Sequence, residues 1–230
     1  MKWEISGEHL KKINPNWTFK KWSYRHTFVA KMKYLEKFLL KQDKKLKILD
    51  VGSGEGLLVK RFNDIGYDIK GLDKEYSSDL VIKDDIFKTK IKDESYDLIL
   101  CLDVIEHFSI SDQQRLVKVL YRVLKKNGRI VFSIPNLGHL SSRLMFLFTG
   151  RLLRTAKVEY HPGDRPAFEY KQLFKKYFKI EGVKGISPTI PVLFQFTQLW
   201  PHLTKWLYIL IKWMAIPSWC FNVIFICRKA

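Results

Sequence analysis

Short apolar runs, separated by segments of helical periodicity, occupy residues 46–136 of the chain. The runs that predict strands are residues 47–51, 67–72, 80–82, 96–102 and 129–134. Apolar positions recur at steps of three and four residues in 57–62 and in 113–124, which predicts a helix in each segment. The helix over 113–124 is predicted to end at Asn127-Gly128, with Gly128 in the left-handed conformation. Short strands that alternate with helices predict a parallel sheet with helices on both faces.

The two ends of the chain follow other patterns. Residues 17–40 carry aromatic and aliphatic side chains at helical spacing among many Lys and Arg, which predicts an amphipathic helix or helix pair before the first strand. Beyond the core, the pattern predicts a helix over 170–177 and strands over 179–186 and 219–227. The chain of 230 residues is long enough for one domain with a sizeable core, and too short for two full domains.

The net charge and the cysteine content indicate the classes of partner and the redox environment, but they do not identify one partner. The formal net charge is +18, so the surface is expected to attract nucleic acid, acidic lipid headgroups or phosphorylated substrates. The three cysteines form no CxxC pair and lie in apolar runs, which favours a reducing, cytoplasmic setting. The first residues lack the continuous apolar stretch of a secretory signal.

A glycine-rich turn and an acidic residue predict a nucleoside-binding site. The sequence Gly-Ser-Gly-Glu-Gly at 52–56 follows a predicted strand and opens a predicted helix, where glycines let a ligand approach the backbone. Asp73 ends the next predicted strand, where its carboxylate can accept hydrogen bonds from ribose hydroxyls. Leu57 stands where the dinucleotide fingerprint has its third glycine, which disfavours NAD.

Four ordered motifs resemble those of one family. ILDVGSGEG (48–56) resembles motif I of the class I S-adenosylmethionine-dependent methyltransferases, and GLDKEY (71–76) resembles the acidic motif that follows it. YDLILCLDVIEHF (96–108) resembles motif IV, and VLKKNGRIVFSIPN (123–136) resembles the motif of the fifth strand. The resemblance implies an α/β, Rossmann-like sheet of seven mostly parallel strands with an antiparallel C-terminal hairpin, and S-adenosylmethionine as cofactor.

The resemblance also implies roles for particular residues. The glycine loop would hold the amino-acid end of the cofactor with Asp50 at its margin, Asp73 the ribose, and Asp85 the adenine region. The segment between Asp73 and Leu80 is too short for the full helix expected there, which is a departure from the family pattern at the adenine pocket. The predicted cofactor-binding residues are Asp50, Gly52, Ser53, Gly54, Gly56, Asp73, Lys74, Asp85, Ile86 and Leu102.

His107 and Asp103 are the predicted catalytic residues. A sulfonium methyl group needs an aligned acceptor more than a dedicated nucleophile, so the protein's task is alignment and, for a hydroxyl acceptor, removal of a proton. Asp103 would face the methyl group and the acceptor, and His107 is the candidate base. The alternative for His107 is a structural role beside Glu106.

A metal site is the less favoured interpretation of the same segment, and no metal is predicted. The spacing of Asp103, Glu106 and His107 resembles the ExxEH of small-RNA 2′-O-methyltransferases, with Asp103 in place of the first Glu. His139 or His161 would have to complete such a site.

An aromatic insert at 188–217 has two interpretations. It contains Trp and Tyr among Leu and Ile, and Lys205 and Lys212 are its only formal charges. The preferred interpretation is a lid that buries these aromatic side chains over the acceptor pocket. The other is a peripheral contact with a membrane. A spanning helix over 206–227 is disfavoured because Pro217 interrupts it and Lys212 lies near its middle.

Together these features predict one methyltransferase domain. Its parts are a helical N-terminal cover (1–45), a cofactor-binding core (46–136), an acceptor-side region (137–187), the aromatic insert (188–217) and a final strand (218–230). We expect O-methylation of a small, lipid-linked or glycan acceptor. The alternatives are a metal-assisted RNA 2′-O-methyltransferase and a non-catalytic membrane- or partner-binding module of the same fold.

Overall fold

A computed structural model describes residues 3–7, 11, 14–154 and 156–230. The strands in chain order are β1 Ile48–Val51, β2 Ile69–Asp73, β3 Val81–Lys83, β4 Tyr96–Leu102, β5 Leu124–Pro135, β6 Lys179–Pro188 and β7 Cys220–Arg228. The α-helices are α1 Arg25–Leu39, α2 Leu57–Asn63, α3 Ile110–Val123, α4 Leu140–Thr149, α5 Ala167–Lys175, α6 Leu193–Leu199 and α7 Lys205–Ile211. Short 3-10 turns lie at Phe19–Lys21, Ile105–His107, Lys212–Met214 and Pro217–Trp219.

The described strands form one sheet in the order β3-β2-β1-β4-β5-β7-β6. Strands β1 to β5 are parallel to one another, and β7 is antiparallel to both β5 and β6. This confirms the predicted fold class, including the antiparallel C-terminal hairpin. The chain order reverses between β1 and β4, which is where open α/β sheets bind ligands.

Both faces of the sheet are buried because successive residues of a strand point to opposite sides. In β4, Leu98 and Leu100 pack with α1 and α2, whereas Ile99 and Cys101 pack with α3 and α5. Near-continuous apolar strands are the pattern expected of a parallel sheet covered on both sides. The predicted helical cover is α1, whose Leu35 and Leu39 are fully buried against the first of these clusters.

Element boundaries depart from the prediction around α3 and β5. The helix begins earlier than predicted, at Ile110, because Ser109 caps it by accepting a hydrogen bond from the Asp112 N–H at 3.2 Å. β5 begins at Leu124 rather than at residue 129, and its pairing with β4 shifts register there. The predicted left-handed Gly128 is wrong, since Asn127 takes that conformation with φ 61°.

Helix α4 was not predicted from the sequence. His139 caps its first turn through Nδ1, which accepts from the Ser142 N–H at 3.2 Å, and Gly150 ends it with φ 66°. The insert forms two short helices, α6 and α7, instead of one long one. In the described part of the chain, no helix has both the length and the apolar character needed to cross a membrane.

The insert packs against α1 and β6. The Tyr208 ring stacks on His26 of α1 with 5.3 Å between ring centroids, and Tyr208 also faces Ser187 of β6. Phe194 is buried, but Trp206 and Trp213 are exposed. The expectation that the insert buries its aromatic side chains is therefore wrong for these tryptophans.

Candidate active site

A cleft of about 770 Å³ opens at the carboxyl ends of β1, β2 and β4. Its walls are the glycine loop after β1, residues 84–87 after β3, and the turn after β4. Helix α1 closes one side with Phe28, Lys31 and Met32. Most of the predicted site residues are thus gathered in one cavity, of a size typical for small-molecule and cofactor sites.

The glycine loop follows the sequence prediction closely. Gly52, Gly54 and Gly56 all have positive φ, at 70°, 53° and 69°. A β-carbon on Gly52 would lie 2.4 Å from Val104 Cγ2, so that position has no room for a side chain. A β-carbon on Gly54 would meet nothing within 4 Å, because this residue faces the open cleft. The loop therefore presents bare backbone to a ligand.

Backbone N–H groups hold the Asp73 carboxylate at the end of β2. Oδ2 accepts a hydrogen bond from the Gly54 N–H at 2.8 Å, and Oδ1 accepts from the N–H groups of Glu75 at 2.8 Å and Tyr76 at 3.2 Å. A carboxylate offers about four acceptor positions, so these three bonds leave room for roughly one more, at Oδ2. The arrangement suits one ribose hydroxyl rather than two. Lys74 lines the cleft beside it.

Asp50 and the residues after β3 line the rest of the predicted cofactor side. Burial, together with the charge of Asp73 and against that of Lys31, raises the pKa of Asp50 to about 7. Asp85 Oδ1 accepts from the Phe87 N–H at 2.9 Å, which fixes the turn that carries the buried Ile86. Ser53 and Leu102 also line the cleft.

Asp103 is the centre of a partly buried polar network. Its Oδ2 accepts from Tyr24 Oη at 2.8 Å and forms an ion pair with Lys31. Its Oδ1 accepts from Ser133 Oγ and from Asn222 Nδ2. Burial opposes ionisation, but the Lys31 charge and these hydrogen bonds lower the pKa of Asp103 to about 2. With its acceptor positions occupied, the carboxylate orients its neighbours and is a poor proton acceptor.

The network contains residues that the motifs did not identify. Tyr24 and Lys31 come from the N-terminal cover, Ser133 from β5 and Asn222 from β7. Lys31 is the residue that a helical projection could have revealed, because it lies on the buried stripe of α1 with Thr27 and Leu35.

His107 lies at the other wall of the cleft and is exposed to solvent. Its Nδ1 is 2.9 Å from the carbonyl oxygen of Tyr160. A carbonyl can only accept, so Nδ1 carries the hydrogen and Nε2 of the neutral ring keeps its lone pair. The ring of His161 meets that of His107 edge to face, with 4.7 Å between centroids.

Glu106 and His161 share this corner, and burial disfavours the charged form of each. Burial and the negative charge of Asp103 hold the pKa of Glu106 well above its usual range. Burial and the neighbouring His107 lower the pKa of His161 to about 4. One ligand atom from each of Glu106, His107 and His161 lies within 4.8 Å of the others, a spacing that a metal ion could bridge.

The alternative metal set predicted from the sequence is only partly brought together. Asp103 faces Lys31 instead of joining Glu106 and His107. His139 caps α4 and contacts Thr189 Oγ1 at 3.0 Å, so His161 is the histidine at this corner. In the described part of the chain, no residue of 188–217 lines the cleft. The expected lid over the pocket is therefore not observed.

Comparisons with known proteins agree with this architecture. A family model described as a methyltransferase domain matches residues 22–177. A ubiquinone biosynthesis O-methyltransferase from Rickettsia bellii (strain OSU 85-389) is 26% identical over 157 residues, which cover 61% of this chain. The match spans 65% of the length of that relative.

Solved structures show the same fold at low sequence identity. A protein from Pyrococcus horikoshii OT3 has a TM-score of 0.61 and 16% identity, covering 97% of this chain and 99% of its own. Magnesium protoporphyrin IX methyltransferase from Synechocystis PCC 6803 with bound SAH has a TM-score of 0.58 and 14% identity, covering 90% and 86%. On the family match, the fold and the glycine-loop cleft, the chain belongs to the class I S-adenosylmethionine-dependent methyltransferases.

Proposed function

We propose that this protein methylates a hydroxyl group of a small, lipid-linked acceptor with S-adenosylmethionine as donor. The observation that carries the proposal is the position of His107 at the wall of a donor cleft, where the Tyr160 carbonyl favours the tautomer that leaves the Nε2 lone pair free in the neutral ring. The relative from Rickettsia bellii, named as an O-methyltransferase of ubiquinone biosynthesis, supports oxygen as the methylated atom. A phenol or alcohol with an apolar tail is the acceptor class that fits best.

The residues of the donor half fit the cofactor. The bare backbone at Gly54 and the remaining acceptor position on Asp73 suit a molecule with an amino-acid end and a ribose. Asp85 and the buried Ile86 offer a polar and an apolar contact for a base. When bound, S-adenosylmethionine supplies a methyl group already activated by its sulfonium.

In this proposal His107 removes the acceptor's proton. The Tyr160 carbonyl fixes the tautomer and aims Nε2 away from the protein backbone. General base catalysis by a positioned histidine contributes about 10²- to 10⁴-fold. Asp103 contributes as a positioning residue, because its hydrogen bonds hold α1 and β7 against the end of β4.

Labelled methyl donor tests the function directly. The protein is incubated with isotopically labelled S-adenosylmethionine and a lipid and metabolite extract, and labelled products are profiled. We expect label in an ether of an apolar acceptor, and none with Asp73→Ala. A folded protein that binds neither the donor nor its demethylated product in calorimetry would contradict the proposal. Binding without transfer, across a broad acceptor panel, would favour the non-catalytic alternative.

A second pair of variants tests the role of His107. His107→Gln is expected to bind the demethylated donor within about twofold of the wild type and to lose about 10²-fold or more in turnover. His202→Gln, at an exposed histidine outside the cleft, is the matched control. Full turnover in His107→Gln would show that another group takes the proton.

The second candidate function is metal-assisted methylation of RNA, favoured by the cluster of Glu106, His107 and His161. The engagement of Asp103 with Lys31 weighs against it, because one of the expected ligands is occupied. Dialysis against EDTA followed by Mg²⁺, Mn²⁺ or Zn²⁺ distinguishes the two. Under the primary proposal turnover survives EDTA and RNA takes up no label. Metal-dependent labelling of RNA that is lost in Glu106→Gln would establish the alternative.

A further inference from the structure

Two segments far apart in the sequence expose apolar side chains on one side of the protein. Helix α4 exposes Phe146, Leu147 and Phe148, and Phe148 is 80% exposed. The insert exposes further aromatic and aliphatic residues, of which Trp213 is 84% exposed. We call these exposed residues the apolar face. Its members are Phe146, Leu147, Phe148, Val192, Phe196, Leu199, Trp200, Leu203, Trp206, Ile209, Leu210, Trp213, Met214 and Ile216.

The two segments are joined at the base of α4. Ser141 Oγ donates to the Thr189 carbonyl at 2.7 Å, and Arg143 Nη2 donates to the Ser218 carbonyl at 3.2 Å. The His139 and Phe194 rings lie 6.2 Å apart between centroids. The two segments that carry the apolar face are therefore fixed to each other at a common base. Most of the large exposed apolar side chains among the described residues belong to it. Apolar surface on this scale marks a docking site.

The formal charges within the two segments that carry the apolar face are all positive. Residues 137–158 and 188–218 contain no Asp or Glu. Their charged residues are Arg143, Arg151, Arg154, Lys157, Lys205 and Lys212. A second copy of the chain docked on this surface would bring like charges together across the interface. A membrane with anionic headgroups would instead neutralise these charges while its interface accepts the aromatic rings.

A series of side-chain contacts links the base of the apolar face to the cleft. Phe194, beneath the insert, is 5.7 Å from the ring of Phe221, which is 5.7 Å from the ring of Tyr24. Tyr24 in turn donates to Asp103 at the edge of the cleft, at 2.8 Å. A chain of three aromatic rings, Phe194, Phe221 and Tyr24, thus connects the base of the insert with the proposed acceptor end.

We propose that the apolar face is a docking surface for an anionic lipid bilayer. Trp206, Trp213 and the α4 side chains enter the headgroup boundary, and the basic residues contact phosphate. The surface holds the cleft beside the membrane, so that a lipid-linked acceptor reaches it without crossing water. That delivery role rests on the proposed function, whereas docking itself does not depend on catalysis.

Vesicle binding tests the docking surface without any turnover. The full chain is sedimented with vesicles of phosphatidylcholine, with and without phosphatidylglycerol, at low and high salt. We expect binding to the anionic vesicles that weakens with salt. The double variant Leu147→Ser/Phe148→Ser and the single variant Trp213→Ser should each reduce it about tenfold or more. Leu40→Ser, at a leucine of similar exposure outside the face, should not change it.

Folding of each variant is checked by calorimetric binding of the demethylated donor. Failure of the folded wild type to bind anionic vesicles would overturn the docking proposal. A wild-type dimer that Trp213→Ser converts to monomers would also overturn the docking proposal, because the apolar face would then join two copies of the chain. The docking proposal would also be overturned if the double variant Leu147→Ser/Phe148→Ser and the single variant Trp213→Ser both bound anionic vesicles as well as the wild type does. Vesicle binding without any methyl transfer would remove the proposed function and leave the docking surface standing.

Discussion

Replacing Lys31 with methionine removes the buried cation that faces the partly buried Asp103 carboxylate. Lys31 is itself buried, so the methylene chain of methionine keeps much of its packing while the charge is lost. The displacement of the Asp103 pKa from 3.8 to about 2 corresponds to about 2.5 kcal/mol. Breaking a buried pair by removing one partner costs about 3–5 kcal/mol. Tyr24, Ser133 and Asn222 still donate to Asp103, so we expect a loss of about 3 kcal/mol at pH 7.

The sign of the pH dependence follows from the two states of Asp103. In the wild type its pKa is lowered in the folded protein, so its contribution to stability is complete above about pH 4. That contribution is lost as pH falls towards 2. In Lys31→Met the hydrogen bonds from Tyr24 and Ser133 remain but the opposing charge is lost, so burial raises the pKa of Asp103 and it takes up a proton at a higher pH than in the wild type. The difference between wild type and variant should therefore shrink as pH falls from 7 to 4.

Urea unfolding followed by tryptophan fluorescence measures this difference. Lys33→Met, at an exposed lysine on the same helix, is the matched control and should change stability by less than about 0.5 kcal/mol. In a double-mutant cycle, adding Asp103→Asn to Lys31→Met should recover about 1.5 kcal/mol or more of the stability that Lys31→Met loses. A loss below about 1 kcal/mol at pH 7 that is also constant down to pH 4 would refute the ion pair as a source of stability.

Two further predictions concern the donor side of the cleft. The pKa of Asp50 is raised by burial from 3.8 to about 7, so its ionisation destabilises the folded state as pH rises from about 4 through 7. Asp50→Asn should therefore raise the free energy of unfolding by up to about 4 kcal/mol at pH 8 and hardly at all at pH 4, and equal effects at both values would contradict this. Gly52→Ala should lose about 3 kcal/mol of stability because its β-carbon would meet Val104, whereas Gly54→Ala, in open space, should lose only about 1 kcal/mol. Thermal unfolding of the pair measures the contrast, and the reverse order would show that the loop relaxes around Val104.

The donor half of the cleft could be predicted from the sequence because its residues lie in short contiguous motifs at strand ends. Gly52, Gly54 and Asp73 keep their spacing whatever the rest of the chain does. The acceptor half could not be predicted, since Lys31, Ser133 and Asn222 come from three elements that only the folded sheet brings together. Motif IV identified Asp103, but only its partners in the folded structure show that both of its carboxylate oxygens accept hydrogen bonds.

Helix α4 and the insert illustrate a different limit of sequence patterns. Periodicity shows that apolar residues gather on one side of a helix, but it does not say whether that side meets a core or solvent. Residues 144–148 are an apolar run that an ordinary interior would bury, yet Phe146, Leu147 and Phe148 are exposed. The expected lid failed for the same reason, because aromatic residues suit a buried pocket and a surface contact equally well.

The charge distribution along the cleft favours an uncharged acceptor. At the corner of His107, the raised pKa of Glu106 and the lowered pKa of His161 both favour the uncharged forms, and Lys31 balances Asp103. The excess positive charge of the chain therefore is not concentrated where the proposed acceptor meets the methyl group, whereas a polyanion such as RNA would need it there. Around α4 and the insert, by contrast, basic residues surround apolar ones with no acid among them. This separation supports a protein whose cations hold an anionic surface while a cleft lined by more acids than lysines receives an apolar alcohol or phenol.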